Sequence, residues 1–272
     1  MGHLVRVDDA ADPRLADYLD LTDVALRSAK EPAEGLFLAE GEKVIRRALA
    51  AGYRPRSLLL AEKWYDGLAE ALADHDCPVF LADDATVAAV TGYRVHRGAL
   101  ASLHRRPLPT PSDLVTGADR VVVLEDLVDH TNVGAVFRNA AALGFDAVLL
   151  SPGCADPLYR RSIKVSMGAA LTLPWSRATS WPQALDDLAA DGLRLLATSP
   201  DPGGTDLRTL RAPDRVAVVL GTEGEGLTDA ALSRCHDRVR IPMAEGVDSL
   251  NVAAASAVVL YALGPGAVRP RR

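Results

Sequence analysis

Residues 120–138 read RVVVLEDLVDHTNVGAVFR, and this stretch sets the fold class. The opening RVVVL is a continuous apolar run, the pattern of a strand buried on both faces of a parallel sheet. Over 132–143, Val133, Val136, Phe137 and Ala140 recur at i, i+3, i+4 and i+7 and predict a helix with one apolar face. Strand, polar loop, helix is the first half of a βαβ unit. Similar apolar runs recur at 147–150, 193–197 and 216–220, with helical stretches at 182–190 and 250–263. The second half of the chain is therefore expected to be an open parallel α/β sheet, which binds ligands beyond the carboxyl ends of its strands.

Three strand ends carry polar or glycine-rich sequence. After the first, Asn132, Gly134 and Arg138 form N-x-G-x-x-x-R. Asn132 is a good helix N-cap and Gly134 permits close backbone approach. An ordinary capped helix with a surface arginine has the same spacing. After the run at 216–220 comes GTEGEGL (221–227), a G-x-x-G-x-G order that is neither a dinucleotide fingerprint nor an ATP phosphate loop. Glu223 and Glu225 would repel a phosphate, which favours a phosphate-free or cationic ligand. The third is IPM (241–243), leading to SLNV (249–252) and a small-residue helix that Ser249 or Asn251 could cap.

In order and in placement these segments resemble the signature motifs of the SpoU branch of the SPOUT class of RNA methyltransferases. The resemblance covers 119–263, and FLAEGEKVIRRALAAG (37–52) looks like the start of that family's ribosomal-protein-like RNA-binding domain. Two positions depart from the family pattern. Asp129-His130 stands where Asp-Pro is usual, and Ala253 where Ser is usual. The resemblance implies an α/β fold: a C-terminal parallel-sheet SPOUT domain with a deep trefoil knot, and a small N-terminal α/β domain. It implies a homodimer, S-adenosylmethionine as cofactor and rRNA or tRNA as partner. The reaction would be methyl transfer to a ribose 2′-hydroxyl, and a catalytically silent RNA-binding protein on the same fold is the alternative.

At the matching positions the family binds its cofactor through Thr198, Gly221, Ile241, Met243 and Leu250. Arg138 matches the residue placed at the nucleophile. An arginine stays protonated and is a poor base, so electrostatic stabilisation and a phosphate or ribose clamp suit it better than general-base catalysis. Asn132, Glu223, Ser249 and Asn251 would orient Arg138, the ribose and the loop.

The first half alternates helical and strand signals. A helix is expected over 14–29, then a short apolar run at 35–39 and a helix over 42–51. Strands are expected at 57–60, 78–81 and 99–103, with helices over 64–73 and 84–90. The proline-bearing RRPLPTPSD (105–113) reads as a stiff connector. The expected division is thus an RNA-binding domain over 1–106, a linker over 107–118 and a methyltransferase domain over 119–272.

Composition narrows the rest. The chain has 272 residues, 24% of them charged, and a net charge of −6. Residues 1–109 carry 14 Lys and Arg against 17 Asp and Glu, so even the RNA-binding half has no general attraction for polyanions. Recognition must be local: Arg97, Arg105 and Arg106 in the basic run around the linker are candidate RNA contacts, with a solvated surface as the alternative, and the resemblance in the first domain extends the track to Arg46 and Arg47. Cys77, Cys154 and Cys235 make no disulfide framework, and the N-terminus has no signal-peptide core, so a cytoplasmic protein is expected. Cys235-His236 lacks a second pair at zinc spacing, so no metal is expected. Asp248-Ser249 lacks a nucleophile elbow.

Overall fold

A computed structural model describes residues 2–95, 98–222 and 224–265. The chain divides into two compact units. One comprises Met1–Pro107 with Leu158–Thr172, and the other Leu108–Pro157 with Leu173–Arg272.

In chain order, the first stretch contains β1 (His3–Arg6), α1 (Val24–Ala33), β2 (Leu36–Glu40), α2 (Glu42–Ala50), β3 (Pro55–Leu60), α3 (Asp66–Ala69), β4 (Pro78–Leu81), α4 (Asp84–Thr91) and β5 (Ala99–His104). Then come α5 (Pro111–Val115), β6 (Arg120–Leu124), α6 (His130–Ala142) and β7 (Ala147–Leu150), followed by α7 (Arg160–Val165) and α8 (Ala169–Thr172). The last stretch holds β8 (Trp175–Arg177), α9 (Gln183–Ala190), β9 (Arg194–Thr198), β10 (Thr205–Asp206), β11 (Val216–Leu220), α10 (Asp229–Leu232), β12 (Asp237–Arg240) and α11 (Val252–Leu263).

The first unit is built on a mixed sheet in the order β1-β4-β3-β5-β2. Its β1, β4 and β3 run parallel, whereas β5 and β2 are antiparallel to their neighbours. The single helix expected over 14–29 is two pieces. A 3-10 turn at Pro13–Tyr18 ends before Asp20, which is left-handed (φ 55°), and Asp23 caps a new helix by accepting from the Leu26 amide. Capping chemistry there overrides the apolar spacing. The proline connector also closes into structure: Thr110 accepts from the Asp113 amide and Pro111 opens α5, the usual place for a helix proline.

Leu158–Thr172 joins the first unit through a buried acid. Glu40, at the end of β2, has a side chain only 3% exposed. It meets Lys164 Nζ at 2.8 Å and Arg160 Nη1 at 3.3 Å, and accepts from Tyr93 Oη at 3.0 Å. Arg160 also donates to the Leu21 carbonyl at 2.7 Å. The expected methyltransferase domain over 119–272 is therefore interrupted, because charge pairing across more than 100 residues left no periodic signal.

The second unit is a parallel sheet in the order β10-β12-β9-β11-β6-β7-β8. Its central strands β6 and β11 pair Val121 with Ala217 through Leu124 with Leu220, and those residues are buried. From β6 the chain moves outward through β7 to β8, then crosses to β9 and returns to insert β11 between β9 and β6. The carboxyl ends of β9, β11 and β12 consequently lie side by side. Among the described residues no helix is long and apolar enough to cross a membrane.

Candidate active site

The loops beyond β9, β11 and β12 and the start of α11 enclose a cavity of about 410 Å³. Thr198, Gly221, Ile241, Met243 and Leu250 all line it, with Ser249 and Asn251 beside them. A cavity of this size suits a small cofactor. Among the described residues its wall carries no charged side chain.

Each wall is fixed by backbone chemistry. Thr198, the last residue of β9, donates its hydroxyl proton to the Val219 carbonyl at 2.9 Å. The glycine loop folds back on itself: the amides of Thr222 and Gly226 each donate to the other's carbonyl, at 3.1 and 3.2 Å. A Cβ on Gly221 would stand 2.4 Å from the Gly226 carbonyl carbon and 2.6 Å from the Leu227 nitrogen. The bare Cα is thus required first by the loop's own closure, and the cavity wall follows from it. Gly224 and Gly226 supply the positive φ values of the turn (95° and 72°). Glu223 lies outside the described residues.

Helix α6 begins earlier than its apolar spacing indicates. Asp129 is its N-cap and accepts from the amides of Thr131 and Asn132. The Asn132 amide, with that of Thr131 behind it, holds the Asp129 carboxyl below the usual carboxylate value. Asn132 therefore does not cap the helix; it sits in the first turn with its side chain available for longer reach. Its Oδ1 accepts from Asn251 Nδ2 at 3.2 Å, joining the first motif to the third. Asn251 is in turn the N-cap of α11, accepting from the Ala253 amide at 2.9 Å. Ser249 takes no part in that cap. Arg138 is exposed on α6, its side chain makes no hydrogen bond among the described residues, and it is not on the cavity wall.

Sequence reasoning missed Asn139, which donates from Nδ2 to the Ala253 carbonyl and Ser256 Oγ, both at 2.9 Å, and so locks α6 against α11. It adjoins Arg138, but an asparagine within a helix gives no periodic signal. It also missed Glu125, buried at the end of β6.

Four of the candidate RNA contacts donate to backbone carbonyls elsewhere in the first unit. Arg46 Nε donates to the Gly67 carbonyl at 2.8 Å and Arg105 Nε to that of Leu36 at 2.7 Å. Arg47 donates to the Met167 carbonyl. Arg106 donates to the Ala51 carbonyl at 2.7 Å and stacks 4.0 Å above the Tyr53 ring. Arg97 lies outside the described residues. His236 Nδ1 accepts from the Leu195 amide, and burial pushes the neighbouring Cys235 thiol up to about 11. Among the described residues no group of three or more His, Cys, Asp or Glu side chains could hold a metal ion.

The sequence model of the SpoU rRNA Methylase family matches residues 119–261. A relative in Mycobacterium tuberculosis, named an uncharacterized tRNA/rRNA methyltransferase, is 43% identical over 270 residues, covering 96% of this chain and 94% of its own. A solved RNA 2′-O ribose methyltransferase is 28% identical with a TM-score of 0.74, covering 95% of this chain and 98% of that one. An AdoMet-bound rRNA methyltransferase from Sinorhizobium meliloti has a TM-score of 0.80, covering 96% of this chain and 98% of its own. At 23% identity that last likeness is one of fold.

Proposed function

Because the chain belongs to the SpoU rRNA Methylase family, we propose that it transfers a methyl group from S-adenosylmethionine to a ribose 2′-hydroxyl of ribosomal or transfer RNA. One observation carries this reading: three strand-end loops distant in sequence converge on one cavity, whose described lining carries no charged side chain and whose rim is tied through Asn251 and Asn132 to the helix bearing Arg138. With no cationic side chain among its described residues, the wall fits a cofactor that has no phosphate. The relative named for RNA 2′-O ribose methylation supports the choice of acceptor.

When bound, the cofactor supplies an electrophilic methyl group on a sulfonium centre. Thr198, Gly221, Ile241, Met243 and Leu250 hold it, largely through backbone groups. The acceptor hydroxyl is a very weak acid, so charge developing on its oxygen needs a positive neighbour. Arg138 serves as that neighbour and clamps the ribose or its phosphate, remaining protonated throughout. Asn132 and Asn251 fix the approach of α6, while Ser249 and Glu223 orient the ribose and the loop. Alignment of the reacting atoms supplies much of the acceleration.

The same reading assigns the family's deep trefoil knot to the segments around the cavity, and a two-fold dimer to α6 and α11. Val258 and Tyr261 on α11 support the dimer, being 42% and 70% exposed. Residues 1–106 select the RNA through Arg46, Arg47, Arg97, Arg105 and Arg106, and the enzyme works in the cytoplasm. Mapping 2′-O-methyl positions in total RNA from cells with and without the gene tests the proposal. One position should vanish with the gene and return with the wild-type chain, but not with Arg138→Ala. An unchanged map would overturn it.

A further inference from the structure

Glu125 follows β6 directly and is 1% exposed, although the chemistry above gives it no task. Its amide donates to the carbonyl of Leu220, the last residue before the glycine loop, at 2.9 Å. Its carboxyl group accepts from the first residue after that loop twice: Thr228 N at 2.9 Å and Thr228 Oγ1 at 2.7 Å. Trp181 Nε1 donates to the same group at 2.7 Å. One residue thus holds both the entry and the exit of residues 221–227.

We propose that Glu125 is the positioning residue of the glycine loop, setting its closed form for the cofactor. The inference rests on the reading that this cavity binds S-adenosylmethionine. All three side-chain partners are donors. Thr228 Oγ1 already accepts from the Ala231 amide at 3.2 Å, so its one proton goes to Glu125. A glutamine in this place would turn an N–H₂ toward one of these donors and leave a buried group unpaired. The Trp181 contact lies outside the loop and serves as an internal control.

The test uses the full chain. Amide hydrogen exchange of the peptide spanning 221–228 is followed without ligand, alongside calorimetric binding of S-adenosylmethionine and steady-state kinetics. Glu125→Gln should speed exchange of the loop and raise the Kd and KM for S-adenosylmethionine about tenfold or more, with kcat at saturation changed much less. Thr228→Val should act in the same direction, Thr228→Ser should restore wild-type behaviour, and Trp181→Phe should leave loop exchange unchanged. If Glu125→Gln does not fold, the Thr228→Val and Thr228→Ser pair decides. Folded variants with wild-type loop exchange and wild-type Kd would overturn the proposal. A wild-type chain that does not bind S-adenosylmethionine would overturn the functional reading instead, and the exchange data would still judge Glu125.

Discussion

Gly221→Ala adds one methyl group where there is no room for it. The new Cβ would meet the Gly226 carbonyl carbon at 2.4 Å, its oxygen at 2.5 Å and the Leu227 nitrogen at 2.6 Å. Ordinary contact begins at 3.4 Å, so the two arms of the loop must part by about 1 Å. The obstructing atoms are backbone, and no side-chain rotation relieves them. The paired bonds between Thr222 and Gly226 resist the opening. Overpacking of this kind costs roughly 1–3 kcal/mol, which corresponds to roughly 5- to 150-fold in affinity. Calorimetric titration with S-adenosylmethionine should show that loss in a protein whose Tm falls by only a few degrees, because the opened loop relieves the strain without unfolding the sheet. A folded Gly221→Ala protein binding within twofold of wild type would refute the reasoning that loop closure builds the cavity wall.

Arg138→Ala and Arg138→Lys should both lower methyl transfer by roughly 10²-fold or more while the calorimetric Kd for S-adenosylmethionine stays at the wild-type value, since Arg138 is off the cavity wall. An active lysine variant would remove the planar clamp from the mechanism. Asp129→Ala should destabilise the protein by about 1 kcal/mol at neutral pH, measured by urea denaturation. The Asp129 carboxyl is held below its ordinary value, so its contribution is complete above the unfolded-state pKa and fades as pH falls through the folded one. The gap between variant and wild type should therefore narrow in acid, and a gap constant from neutral pH down to pH about 2 would count against the cap.

The parallel sheet was legible because burial on both faces writes an uninterrupted apolar run. The strand at 120–124 fills the residues its run predicts, as does that at 216–220. The cavity was legible only in part. Family resemblance picked out residues on all of its walls, yet the reason for Gly221 is steric and appears only when the loop is closed. Asn132 looked like a cap because asparagine caps well, but Asp129 three residues earlier takes the role with two amides. β1 was not read: its four residues have no buried member, and a strand at the edge of the sheet needs no apolar face. Arg46, Arg47, Arg105 and Arg106 gave no sign in the sequence of bonding carbonyls as well, since backbone partners leave no trace in side-chain patterns.

The discontinuity of the first unit bears on how the protein is made. A ribosome delivers the chain from its N-terminus, and domains usually fold as they emerge. When residue 107 has emerged, Glu40 is already placed at the end of β2, but Arg160 and Lys164 do not yet exist. Between those two moments the nascent domain must bury a carboxyl group without its cations or leave that end of the sheet open to water. The first unit therefore reaches its final state only after β6, α6 and β7 of the second have been synthesised.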